Sequence, residues 1–139
     1  MIELSTVHVS VLIVTVFLVA CTDVLGLLYL LGKKETLPKN LVTWAHRIIF
    51  VGLLGMILTG VTMVIPMREY LLSQPNFYVK LAFVLALFIN AFVIGIHMKQ
   101  TFTTPFKQLP RNEKRKLIVS GAVSTLSWIG AILGGLYLF

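Results

Sequence analysis

Six side chains that could do chemistry stand inside text that is otherwise apolar: His8, Asp23, His46, Lys80, Asn90 and His97. Polar and ionisable groups at membrane depth are costly, and they tend to face a bundle interior or a site. His46 has the widest chemistry. An imidazole can form an axial bond to haem iron, and its second ring nitrogen is then usually held by a carboxylate or carbonyl. Asp23 falls at a similar depth on the preceding apolar run and could orient it. The bland alternative for the same pair is a polar latch between two helices. His97 lies seven residues beyond Asn90 and shares its helical face. His97 or His8 could supply a second axial bond, although a histidine at an interface is equally well solvated.

Two further patterns carry alternatives. His8 and Lys80 fall near one end of their runs, where Lys80 could meet a haem propionate or snorkel to the headgroups. Met56, Met63 and Met67 are spaced by seven and four, so they share one helical face. Thioethers suit Cu(I), and Cys21 is another soft ligand, which makes a copper path the alternative metal reading. Methionine also simply fills gaps in packing. No P-loop, GxSxG, CxxC or HExxH motif is present.

These residues need elements that hold them at depth. The chain has 139 residues, of which 58% are hydrophobic and 12% charged. A water-soluble domain of this size could not bury that much apolar surface. Spanning a bilayer takes roughly 20 predominantly apolar residues in a helix. Four runs qualify, at about 7–31, 41–65, 77–98 and 117–139, in a single membrane domain. None alternates as a barrel strand would. The expected fold is all-α: an integral membrane four-helix up-down bundle. Gly52, Gly55 and Gly60 in the second run, and Gly121, Ala122, Gly130, Ala131, Gly134 and Gly135 in the fourth, mark close helix approach.

Charge sets the expected orientation. Ten of the 12 basic residues fall in or beside two connections, GKKETLPKN and KQTFTTPFKQLPRNEKRK. The positive-inside bias puts both in the cytoplasm and both termini outside. The net charge of +7 therefore reads as topology and anionic lipid at residues 33–40 and 99–116, not as nucleic-acid binding. Phe102 and Phe106 could dip into headgroups there. In this frame Asp23, His46, Asn90 and Ser120, Ser124 and Ser127 form an inner polar group, with His97 at its edge. A homodimer contact or a redox partner stays open.

The stretch LVAC before Thr22 fits a lipoprotein cleavage box, but its context does not. Residues 1–8 carry Glu3 and no Lys or Arg. The apolar run continues past Cys21, so the first helix is expected uncut.

Several segments together resemble a superfamily of small four-span bacterial proteins. It includes the copper-resistance-D-like domains and the haem-associated HemJ-type protoporphyrinogen oxidases. The likeness rests on His8 opening the first span, WAHRIIFVGLLGMILTG, YLLSQPNFYVKLAFVLALFIN and SGAVSTLSW. It implies functional positions at His8, Asp23, His46, Lys80, Asn90, Ser124 and Trp128. The stretch VHVSVLIVTVFLVA lacks the tryptophan-bearing pattern of the oxidases, so the likeness points to haem binding more than to their reaction. The expectation is a b-type haem protein of the bacterial cytoplasmic membrane, acting in electron transfer or in a membrane redox enzyme. A copper or proton path and a non-catalytic assembly subunit are the alternatives.

Overall fold

The computed structural model describes residues 2–137. They form four long helices: α1 (Ile2–Leu30), α2 (Lys39–Val64), α4 (Pro75–His97) and α5 (Arg111–Leu136). A short α3 (Arg68–Leu72) follows a 3-10 turn at Ile65–Met67. All four long helices are long and apolar enough to cross a membrane. At about 1.5 Å per residue even α4 spans about 34 Å, more than a hydrocarbon core.

Local chemistry sets the ends. Gly32 takes φ +75, and the amides of Gly32 and Lys33 bond back to the carbonyls of Tyr29 and Leu28 at 3.1 and 3.0 Å. That is a Schellman end for α1, which a side chain would strain. Pro66 stops α2, because a proline nitrogen has no hydrogen to donate. Pro75 opens α4 and Pro110 precedes α5, positions where the missing N–H costs nothing. The apolar text places the fourth span at Leu117, yet the helix starts at Arg111. RNEKRK forms its first turns, with Glu113 near the positive end of the helix dipole.

The helices pair as two hairpins. α1 packs along α2 and α4 along α5, while contact between the pairs is sparse. Thr15, buried and bonded to the Val11 carbonyl at 2.7 Å, occupies the space where a Cβ on Gly52 would stand. The Phe83 ring lies likewise over Gly130, where a Cβ would stand 2.5 Å from it. Small residues thus bring backbones together within each hairpin, as lipid-embedded helices require. Val19, Leu53, Met56, Leu87, Trp128 and Ala131 join the pairs in one core near mid-depth. Outward, Ile13, Phe17, Val51, Leu58, Leu85, Phe92 and Leu126 are exposed, an apolar coat suited to lipid.

Candidate functional site

Between the hairpins, on the side of the two basic connections, lies a cavity of about 470 Å³. All four long helices line it. Its walls are mostly apolar, with Asp23, His46, Asn90, Ser120, Ser124 and Trp128 as the main polar or aromatic groups. Four apolar helices and a few convergent polar groups are the usual make-up of a ligand site of this size. Asp23, His46, Asn90, Ser120 and Ser124 of the inner group expected from the sequence therefore share one space, while Ser127, buried on α5, lies outside its lining.

The register within each hairpin decides how those groups point. In the first, His8 Nδ1 lies 2.6 Å from Thr59 Oγ1, and Thr15 faces Gly52. Those α1 positions are seven apart, so the next residue on the seam is Thr22. Asp23 stands one residue, about 100°, further round. Its side chain is exposed on the cavity's side, and no hydrogen bond or ion pair joins it to His46 among the described residues. The expected carboxylate–histidine contact is absent for this geometric reason. His46 instead lies against α4: a Cβ on Gly95 would stand 2.9 Å from its Nε2.

The second hairpin keeps its expected shared face. Asn90 and Ser120 bond reciprocally: the Asn90 amide donates to the Ser120 carbonyl at 3.1 Å, and the Ser120 hydroxyl donates to Asn90 Oδ1 at 2.8 Å. One heptad along, His97 Nδ1 lies 3.9 Å from Glu113, which also accepts from Lys116 at 3.1 Å. Lys80 lays its stem over Gly134, with Nζ beside Gly135. His97 and His8 do not line the cavity with His46. His8 belongs to the opposite end of α1, where the Thr59 hydroxyl donates to the Gly55 carbonyl at 2.8 Å and so accepts from the imidazole.

Of the expected soft ligands, two have packing roles. Met56 is in the core, Met67 packs against Leu71 and Phe77, and Met63 is half-buried. Cys21 is exposed on α1 and outside the cavity lining. Among the described residues no three His, Cys, Asp or Glu side chains gather as a metal site. Haem asks for less, since its iron takes only one or two protein bonds.

A roof closes the cavity at the basic end, and its buried members Tyr29 and Thr101 are not among the residues the sequence singles out. Tyr29 and Thr101 are each only 2% exposed. The Tyr29 hydroxyl donates to the Thr104 carbonyl at 2.7 Å, and the Leu37 amide donates to the Thr101 carbonyl at 2.9 Å. Phe106 meets the Tyr29 ring edge-on at 5.8 Å, and Lys114 sits over its face at 5.5 Å. Tyr29 continues the spacing of His8, Thr15 and Thr22, which was the available signal. Comparison with protein-family models, curated proteins and solved structures gives no match.

Proposed function

We propose that this chain is a membrane-embedded b-type haem protein whose inner cavity takes the macrocycle and whose His46 supplies the axial bond. The observation that carries the reading is the presence of an imidazole on the wall of a largely apolar cavity of about 470 Å³ between four helices. Haem needs an apolar slot, an axial donor and polar groups for its edge. The lining offers each, with Asn90, Ser120, Ser124 and Trp128 on the wall. His8 and His97 engage Thr59 and Glu113, so the proposal assigns His46 as a lone protein ligand. Asp23 then acts as a wall charge that tunes the site, not as the orienter of His46. Bound haem would supply one-electron chemistry, in electron transfer or within a membrane redox enzyme of the bacterial cytoplasmic membrane.

The test is spectroscopic. Protein made in haem-replete cells and purified in detergent should show a Soret band that shifts on reduction. His46→Ala should lose most of it, and His8→Ala and His97→Ala should keep it. A wild-type protein that shows no Soret band and takes up no haem on reconstitution would overturn the reading.

Proton passage is the second reading, favoured by one observation: Asp23, His46 and Asn90 line the same space. It predicts that Asp23→Asn slows proton flux in vesicles while leaving any haem spectrum in place. A copper path draws less support, because Met56 and Met67 are engaged in apolar packing.

A further inference from the structure

We propose that the inner cavity opens sideways into the bilayer through a portal between α1 and α5, and that its ligand is a membrane-dissolved amphipathic molecule arriving from lipid. The proposal rests on the reading of the cavity as a binding site, and it concerns where the ligand comes from.

The exposure of the lining residues gives the direction. On the α2 and α4 walls every lining residue, among them Val42, His46, Leu53, Leu87 and Asn90, is buried or half-buried. The exposed lining residues are confined to the other two helices. They are Asp23, Val24 and Leu27 on α1, and Ile118, Gly121, Ala122 and Thr125 on α5. α1 and α5 scarcely touch, whereas each packs closely on its hairpin partner. The seam between them is therefore the open side.

Two glycines on the lips support this. A Cβ added at Gly26 of α1 or at Gly121 of α5 would meet nothing within 4 Å. Gly121 is thus no packing glycine, unlike Gly130 in the same helix. The water side is the closed one. Tyr29 and Thr101 are buried under the roof and tied by the bonds to Thr104 and Leu37.

The lips lie within the apolar length of both helices, so the portal faces hydrocarbon. Val24, Leu27 and Ile118 would pass an apolar body. Asp23 on the lip, with His46 and the Asn90–Ser120 pair on the wall, would meet a polar edge. A molecule free in water has no comparable route. One with an apolar body and a polar edge, as haem has, would partition into the leaflet first and then move sideways.

The test uses the full chain in lipid vesicles, in a Trp44→Phe background so that Trp128 of the cavity wall is the remaining tryptophan. Lipids brominated on their acyl chains serve as the first probe, and haem dissolved in the vesicle lipid as the second. Bromolipid should quench Trp128 in the parent, and Gly121→Leu and Gly26→Leu should relieve much of that quenching. The same variants should slow haem uptake about tenfold, the effect of roughly 1.4 kcal/mol on a barrier, while reaching the parent's final loading. Both remove a glycine from a helix interior, which favours the helix. Thr125→Leu on the same lip is the second variant if either fails to fold.

Quenching unchanged by Gly26→Leu, Gly121→Leu and Thr125→Leu overturns the portal. So does an uptake rate unchanged in the same variants. A parent that takes up no haem overturns the haem reading alone, because the bromolipid comparison still decides the portal.

Discussion

At the scale of single residues, one residue's turn of the helix, about 100°, separates expectation from outcome at Asp23. The sequence makes its depth plain, and depth matches it to His46. What depth cannot reveal is azimuth. His8 and Thr15 hold the seam with α2, Thr22 continues their seven-residue spacing, and Asp23 is the next residue round. His46 has the opposite history: its importance was legible, but its neighbour Gly95 was not, because a glycine announces a close approach only once the facing helix is known. This gives a sharp prediction. In Gly95→Ala the new Cβ would stand 2.9 Å from His46 Nε2, so the ring must turn. Haem affinity should fall about tenfold, or 1.4 kcal/mol, with a displaced Soret maximum. Alanine favours the helix by up to about 1 kcal/mol, so thermal stability should hold. An unaltered spectrum and affinity would remove His46 from the axial position.

At the scale of elements, the four apolar runs were legible because nothing but a helix satisfies a lone apolar segment in lipid. The pairing of Asn90 and His97 on one face was legible too, and both reach α5, at Ser120 and Glu113. The connections were the hard part. Composition marks residues 99–116 as basic and wet, yet their first half folds as 3-10 turns over the cavity and their last six residues belong to α5. The reason is a single buried phenol: Tyr29 fixes the chain at Thr104 and gives Phe106 a ring to rest on. Removing that hydroxyl should cost about 1 kcal/mol of local stability. Tyr29→Phe should therefore leave the helix content intact while speeding tryptic cleavage at Lys99 and Lys107 in detergent. An unchanged cleavage rate would show that the roof is held by something else.

At the scale of the whole molecule, the close ties between the two basic connections put them at one end of the bundle. Which side of a membrane that end faces follows from charge alone. The positive-inside bias predicts that alkaline phosphatase fused after Phe139 will be active and a fluorescent protein there dark, with the reverse for fusions within residues 103–108. The opposite pattern would invert the topology and move the cavity to the outer leaflet. Anionic vesicles should also hold the protein's basic end more firmly at low salt than at high, since such attraction fades within a Debye length.

The division into hairpins has a consequence for how the protein comes to exist. α1 and α2 complete their mutual packing with no residue from α4 or α5, and the second pair does the same. Each pair could thus insert as a hairpin as the chain is made. The space between them is nobody's until the fourth helix arrives, and it is defined by two bodies that meet only lightly. If the cavity holds haem as proposed, the haem would reach a protein already in the bilayer, and by bridging both pairs it would bind them together. Loading would then be the last step of assembly.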